Sequence, residues 1–317
     1  MNTDKSDIYD VIIVGAGAAG CSAAIYATRY AMKTLMLGGP MPGGLISEAR
    51  DVENYPGFKS ISGMDLAKNF IDQAVSLGAE YKIDTVLSIK KSDDIFEVKT
   101  FDESFFARSV ILAMGAHHRK LGVKGEEEFA GRGVSYCATC DAPFFKNKVV
   151  AIIGGGNSAV EGAQDVAVHA KLVYIIYRSE LKAAPLYINE LRKTKNIIEV
   201  PFTNITEICG DNVVKNIVLD KAFNDSETLD VDGVFVQIGY APQTELAGNT
   251  GAELTKNKYV KVDAGMSSSI AGLFCAGDMN NGSNLLHQQV TSAAEGAIAA
   301  QSAYRFIKTG SYLVEEL

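Results

Sequence analysis

The chain has 317 residues, 47% of them hydrophobic and 21% charged, with a formal net charge of −8. That is the composition of a globular protein of roughly two domains, at ~100–200 residues each. The acidic balance gives a nucleic-acid role no electrostatic support. Residues 1–10 are polar and lack the apolar core of a secretion signal, and no apolar run approaches the ~18 residues of a membrane-spanning helix. The chain therefore reads as cytoplasmic, with no membrane role, in a reducing compartment where a disulfide is a chemical state rather than a staple.

Taken in order, Ile8-Tyr9-Asp10-Val11-Ile12-Ile13-Val14 ends in four β-branched apolar residues and predicts a short buried strand. Gly15-Ala16-Gly17-Ala18-Ala19-Gly20 follows, and residues 21–29 have helical composition. Strand, G-x-G-x-x-G and helix together are a dinucleotide fingerprint. Gly15 permits the tight turn, Gly17 lets backbone approach a pyrophosphate, and Gly20 lets helix and strand pack closely. The phosphate then sits on the helix N-terminus, beside Ala18. The next predicted strand, 34–37, ends in Gly38-Gly39, without the acid that holds the ribose of a standard NAD site. The first fingerprint marks a dinucleotide site of another kind.

Pro42-Gly43-Gly44-Leu45-Ile46 and residues 52–58 are turn-rich and read, on their own, as surface loops. A helix is predicted over 63–77, with Leu66, Phe70, Ile71 and Ala74 on one face. Residues 81–106 are β-rich with hairpin character. Residues 109–114 read as a buried strand that ends at Gly115-Ala116-His117-His118. The two histidines have no carboxylate or cysteine at ligand spacing and read as loop.

Ser135-Tyr136-Cys137-Ala138-Thr139-Cys140-Asp141 comes next. Two cysteines two residues apart in a chain without a secretion signal indicate redox chemistry or metal binding. Zinc needs a second pair, but Cys21, Cys209 and Cys275 are scattered singly and the four histidines are not spaced as ligands. Burial as small hydrophobes suits single cysteines better than a pair. A disulfide–dithiol cycle uses both. Asp141 could move the proton that exchange requires, although a lone Asp is more commonly a cap or turn residue.

Residues 148–153 predict a strand, and Gly154-Gly155-Gly156-Asn157-Ser158-Ala159 opens a helix reaching about residue 169. This is a second fingerprint, G-x-G-x-x-A, with Gly154, Gly156, Asn157 and Ser158 at its phosphate end. Two fingerprints in one chain are far more specific than one. Residues 172–177 are its second strand, and Arg178-Ser179-Glu180-Leu181-Lys182 is the turn where a ribose or a 2′-phosphate is sorted. Residues 198–238 are again β-rich. Tyr240-Ala241-Pro242-Gln243 reads as a linker, 259–262 as a strand, 271–278 as a strand running into Asp278, and 289–307 as an Ala-rich helix with Gly296 inside it. The order is one nucleotide fold interrupted by a second. The fold class is α/β, with two doubly wound Rossmann-like domains. Residues 1–120 and 240–317 form the first, and 121–239 are inserted in it with glycines near both ends.

At this point the chain resembles the low-molecular-weight thioredoxin reductases of the flavoprotein pyridine nucleotide-disulfide oxidoreductases, with the look of archaeal-type members, over nearly its whole length. The motifs that carry the resemblance are Gly15 to Gly20, Gly43-Gly44, Glu53-Asn54-Tyr55-Pro56-Gly57, Cys137 to Asp141, Gly154 to Glu161 and Gly272 to Asp278. The resemblance implies a homodimer that binds FAD in the discontinuous domain. Gly15, Gly17, Ala18, Gly20, Gly43, Gly44, Asn54, Gly115, Asp278, His287 and Gln288 would be on the FAD side. The final helix would aim its N-terminus at the flavin, where it stabilises negative charge. The inserted domain would hold NADPH or NADH on Gly154, Gly156, Asn157, Ser158, Arg178 and Lys182. Cys140 would face the flavin, Cys137 would exchange with a thioredoxin-like protein, and Asp141 would be the acid–base residue. Serving both partners would require the inserted domain to rotate on glycine-flanked crossings.

Three stretches depart from the family pattern. The His-Arg-Arg and following Arg of its NADPH-binding members are here Tyr177-Arg178-Ser179 and Lys182, in a turn one residue shorter, with Glu180 placed to repel a phosphate or bind a free ribose. The Arg-Gln before the last helix is His287-Gln288, and the Gln of the Gly-Gly-Gln-Leu loop is Leu45. These changes leave the FAD and dithiol motifs intact and the electron donor open. The alternatives are a reductase of the same build fed by ferredoxin or a deazaflavin, and a non-catalytic flavin redox sensor.

Overall fold

The computed structural model describes residues 8–49 and 51–310. Residues 1–7 of the polar N-terminal stretch and residues 311–317 lie outside them. The described chain divides into two compact units, one of residues 8–117 with 242–310 and one of residues 118–241.

The first unit begins with β1 (Ile8–Val14), α1 (Ala18–Arg29), β2 (Thr34–Gly38), α2 (Gly63–Ser76), β3 (Glu80–Ile83), β4 (Val86–Ser92), β5 (Ile95–Thr100) and β6 (Ser104–Leu112). The chain leaves it through β7 (Ala116–His118). The second unit carries β8 (Val134–Ser135), α3 (Ala138–Asp141), β9 (Val149–Ile153), α4 (Asn157–Ala167), β10 (Leu172–Tyr177) and α5 (Pro185–Leu191). It continues with β11 (Ile197–Pro201), β12 (Ile205–Gly210), β13 (Val214–Phe223), β14 (Ser226–Asp230) and β15 (Gly233–Val236). The chain returns through β16 (Tyr240–Pro242) and completes the first unit with α6 (Glu245–Asn249), β17 (Leu273–Cys275) and α7 (Gln289–Thr309).

In the first unit β3, β2, β1 and β6 lie side by side and parallel, with β17 parallel to the end of β6. The antiparallel β4–β5 hairpin pairs with the other half of β6. Successive residues of the central strands feed opposite faces. Val11, Ile13, Met36 and Ile111 join α1, α2 and α7 on one side, while Ile12, Leu35, Leu37, Val110 and Leu112 meet the hairpin's Ile89, Phe96 and Val98 on the other. The Ser62 hydroxyl caps α2 by accepting the Asp65 N–H at 3.1 Å. Leu66, Phe70 and Ala74 of α2 are buried, with Ile71 half-buried beside them.

The second unit has a five-stranded all-parallel sheet in the order β11-β10-β9-β15-β8. Helix α4 packs on one face, and the antiparallel β12-β13-β14 sheet supplies the core on the other. In both units the strand that precedes the glycine turn lies between its successor and a later strand: β1 between β2 and β6, and β9 between β10 and β15. That reversal opens a crevice at the carboxyl ends of the strands.

Three local expectations are corrected. Residues 259–262 form no strand. Val260 makes single bridges to Leu254 on one side and Asn280 on the other, so no neighbour runs alongside long enough to build a ladder. Tyr240–Pro242 is a strand, not a plain linker, and it pairs with β7. Gly44–Glu48, expected as loop, is a 3-10 turn.

Candidate active site

The first fingerprint stands at the carboxyl end of β1. Gly15 has φ +113°, and a Cβ there would lie 2.2 Å from the Ala113 carbonyl oxygen; a Cβ at Gly20 would lie 1.8 Å from that of Gly15. Only glycine lets the strand turn into α1 this tightly. Gly17 is the N-cap of α1 and offers no side-chain cap, and the first turn holds no acid. The opening N–H groups are thus left to a ligand, and the helix end favours an anion. Gly43 folds over this end. A Cβ at Gly17 would come within 3.4 Å of the Gly43 carbonyl oxygen, and Gly43, at φ +79°, has no room for a Cβ against Ala67. Gly115 follows β6 at φ +65°, and its carbonyl accepts the Gln243 N–H at 2.9 Å.

Asp278 follows β17. The Ser292 hydroxyl of α7 donates to its Oδ1 at 2.9 Å. Burial pushes the Asp278 carboxyl above the usual range; Ser292 and nearby His287 pull it back, and Glu295 pushes it up again. Glu295 is buried and accepts the Gly277 N–H and the Asn280 Nδ2–H, each at 2.8 Å, which fixes the turn carrying Asp278. Gln288 caps α7 through a reciprocal capping box with Thr291, and its Oε1 accepts the Asn54 Nδ2–H at 3.0 Å. Asn54, Gln288 and the start of α7 are therefore one constellation. The His287 Nε2 atom is buried without a hydrogen-bond partner, while its ring packs 5.3 Å from that of Tyr259.

The redox pair lies in the second unit. Cys137 and Cys140 form a disulfide with Cα atoms 5.4 Å apart. Cys137 is the N-cap of α3, and its Sγ accepts the Cys140 N–H at 3.1 Å. A thiolate at this sulfur would keep that donor. Cys137 is half-buried, Cys140 exposed and Asp141 half-buried. The Ser135 hydroxyl accepts the Cys137 N–H at 3.1 Å, and Thr139 donates to Asp165 of α4 at 3.2 Å. Gly162 of α4 lets α3 approach, since a Cβ there would lie 2.9 Å from that of Ala138. The other cysteines are unsuited to exchange: burial pushes Cys21 up to about 12 and Cys275 higher still, and Cys209 is also raised.

The second fingerprint repeats the first. Gly154 has φ +144° and has no room for a Cβ against the Gln237 carbonyl. Gly156 is the uncapped N-cap of α4, with open space where its Cβ would be, and Ser158 lies in the first turn. Asn157 has a structural task that the sequence did not reveal: its Oδ1 accepts the Ala184 N–H at 2.9 Å. The Lys182 N–H donates to the Gly155 carbonyl at 2.7 Å. The backbone of the sorting turn is thus fixed on the fingerprint, while the side chains of Arg178, Glu180 and Lys182 are exposed.

The residues fit two dinucleotides. Each unit has an uncapped helix N-terminus behind a glycine turn. The first adds the half-buried Asp278 carboxyl and a buried, unpartnered imidazole nitrogen, which suit the polar flavin end of an FAD. Sequence reasoning missed Ser292, Glu295, Asn280 and Asp165. The polar residues inside the Ala-rich last helix were the available signal. Among the described residues no cluster of His, Cys, Asp and Glu could hold a metal ion, and no helix is long and apolar enough to cross a membrane.

The family described as pyridine nucleotide-disulphide oxidoreductase matches residues 9–300. A thioredoxin reductase of Listeria monocytogenes is 39% identical over 308 residues, covering 96% of this chain and 95% of the relative. The crystal structure of Lactococcus lactis thioredoxin reductase superposes with a TM-score of 0.87 at 35% identity, covering 95% of this chain and 99% of the other. That of T. acidophilum thioredoxin reductase gives 0.85 at 38% identity, covering 96% and 100%.

Proposed function

The chain belongs to the pyridine nucleotide-disulphide oxidoreductase family, and on that premise we propose that it is an FAD-dependent thioredoxin-disulfide reductase. The observation that carries this reading is the Cys137–Cys140 disulfide, set at the start of α3 with Asp141 next to it, in a unit with its own dinucleotide fingerprint.

FAD would be held by Gly15, Gly17, Ala18 and Gly20 at its pyrophosphate, under Gly43 and Gly44, and by Asn54, Gly115, Asp278, His287 and Gln288 towards the flavin. Bound there, it supplies the step between a hydride taken from NADPH or NADH and an electron pair delivered to the disulfide. Gly154, Gly156, Asn157, Ser158, Arg178 and Lys182 would receive the nicotinamide nucleotide. The FAD domain of this reading is residues 1–120 and 240–317, and the inserted nucleotide domain is 121–239.

From the dithiol onward the chemistry belongs to the chain. The Cys137 thiolate, held by the Cys140 N–H, attacks one sulfur of the partner's disulfide. A mixed disulfide forms and a partner thiolate leaves, taking its proton from Asp141 or solvent. The Cys140 thiolate then attacks Cys137 Sγ, restores the Cys137–Cys140 bond and releases the second partner thiolate. The partner is a thioredoxin-like protein, the enzyme a cytoplasmic homodimer. A non-nicotinamide donor is not favoured, because the second fingerprint is intact. Nor is a redox sensor, which has no need of an exchange-competent pair.

The test is a steady-state assay of a thioredoxin disulfide with NADPH, with NADH and without nicotinamide. Turnover with a nicotinamide is expected. Failure of an FAD-loaded protein to turn over with either nucleotide would remove the nicotinamide from the assignment, and failure of its chemically reduced form to reduce the thioredoxin disulfide would remove the assignment itself.

A further inference from the structure

Glu126 is 1% exposed, so its carboxylate must be matched by donors. Oε1 accepts the Leu121 N–H at 2.9 Å and the Tyr136 hydroxyl at 3.0 Å, and Oε2 accepts the Gly122 N–H at 2.7 Å. Leu121 and Gly122 belong to the segment that enters the second unit after β7. At the other end of that unit, Gln237 donates its Nε2–H to the Tyr136 carbonyl at 2.8 Å. Gln237 lies between β15 and β16, where the chain turns to leave. The His118 ring stands 5.9 Å from that of Tyr136 and 4.9 Å from that of Tyr240. The Arg119 N–H donates to the Gly239 carbonyl at 2.9 Å, and the Arg119 Nε–H to the Tyr240 carbonyl at 2.6 Å. The entering segment therefore reaches the Tyr136 hydroxyl through the Glu126 carboxylate, and Gln237 of the leaving segment holds the Tyr136 carbonyl. The next residue is Cys137.

We propose that Tyr136 is a positioning residue that ties Cys137 to both chain crossings, so that the redox state of the Cys137–Cys140 pair and the conformation of the crossings are linked. The inference rests on reading that pair as the exchanging dithiol. With the disulfide closed, Glu126, Tyr136 and Gln237 form one connected network. Holding best in that state, the network stabilises the disulfide over the dithiol. By linkage, the factor by which opening the disulfide loosens the crossings equals the factor by which breaking the network eases reduction. The coupling is therefore measured from both ends.

The experiment uses full-length, FAD-loaded protein equilibrated with dithiothreitol. Two electrons and two protons pass to the pair, the Sγ–Sγ bond becomes two thiols, and dithiothreitol closes to its cyclic disulfide. Thiol trapping followed by mass spectrometry gives the thiol–disulfide equilibrium constant. Hydrogen exchange at the Leu121 and Gly122 amides reads the crossing. Reduction is expected to speed that exchange by about fivefold or more, the low end of ordinary coupling. Tyr136→Phe keeps the ring, so flavin content should be unchanged. It should abolish the exchange difference and shift the pair towards dithiol by about the same factor. Equal exchange in the two redox states of the unsubstituted protein, which needs no variant, overturns the proposal. So does an unshifted equilibrium in a folded Tyr136→Phe protein. A pair that cycles without this link sinks only the inference; a pair that cannot be reduced reversibly sinks the reading beneath it as well.

Discussion

A Cβ on Gly296 would stand 2.0 Å from the backbone carbonyl oxygen of Ala19. The obstacle is helix backbone, which has no rotamer to give. Helices α1 and α7 thus meet at a glycine, and that contact sets how the uncapped end of α1 and the Asp278–Ser292 pair are placed on their shared sheet. Gly296→Ala would gain helix propensity, but only by fractions of a kcal/mol up to about 1. Overpacking against fixed atoms costs about 1–3 kcal/mol, or more. The expected outcome is a lower melting temperature and a lower flavin-to-protein ratio. An unchanged melt with full flavin would show that α7 can slide, and the packing argument would fail.

Cys137→Ser and Cys140→Ser should each abolish turnover of a thioredoxin disulfide, because each removes a sulfur that exchange needs. Both should keep the fold and the FAD. Visible absorbance and far-UV circular dichroism check the second point, and the steady-state assay checks the first. Activity in either variant above a hundredth of the parent would mean that another cysteine substitutes. The raised pKa values of Cys21, Cys209 and Cys275 argue against that.

What was legible in the sequence was the chemistry that short segments complete alone. Gly15 to Gly20 and Gly154 to Ser158 need only a strand before and a helix after. Cys137 and Cys140 need only each other. The polar shell around Asp278 was hidden, because Asn54 meets Gln288 and Glu295 meets Asn280 across sequence distances that no periodicity encodes. The strand expected at 259–262 failed for a related reason. Its apolar alternation was real, but Val260 divides its bonds between two different neighbours. Gly43 read as a surface turn because Ala67, which demands a glycine there, is contributed by α2.

Asp278 links stability to pH. Burial raises its pKa above the ordinary aspartate value of 3.8. Between that value and the raised one, the folded state of the cofactor-free protein holds more proton than the unfolded state. Stability from this group is therefore full below 3.8 and is lost as pH rises through the raised pKa. Asp278→Asn should flatten that part of the melting-temperature profile, as a difference from the parent. It should also weaken FAD, by about tenfold if one charge-assisted hydrogen bond of roughly 1.5–3 kcal/mol is lost. Parallel profiles for the two proteins would show that Asp278 does not titrate as described. Equal FAD affinity by titration would remove it from the cofactor site.

The last expectation concerns which nicotinamide is used. A 2′-phosphate carries nearly two negative charges, and each charge-assisted contact to it contributes roughly 1.5–3 kcal/mol. Arg178 offers one forked contact. Lys182 offers a second, less directional one, since an ammonium cannot fork. Both side chains are exposed, which holds these contacts to the low end of the range. Glu180, exposed in the same turn, opposes a phosphate and suits a free ribose. The contacts common to both nucleotides are the N-terminus of α4 and the open face of Gly156, and they are intact. The Lys182 and Ala184 amides fix the turn, so the site cannot easily remodel around a phosphate. The protein should therefore accept both nucleotides weakly, with little preference for NADPH. Ser179→Arg should add one contact and shift the preference towards NADPH by about tenfold. Stopped-flow reduction of the bound flavin by each nucleotide, in parent and variant, measures this directly. Rapid reduction of the parent by low micromolar NADPH and none by NADH would show that Arg178 and Lys182 suffice. Reduction by neither nucleotide, unaltered by Ser179→Arg, would move the source of electrons away from nicotinamides altogether.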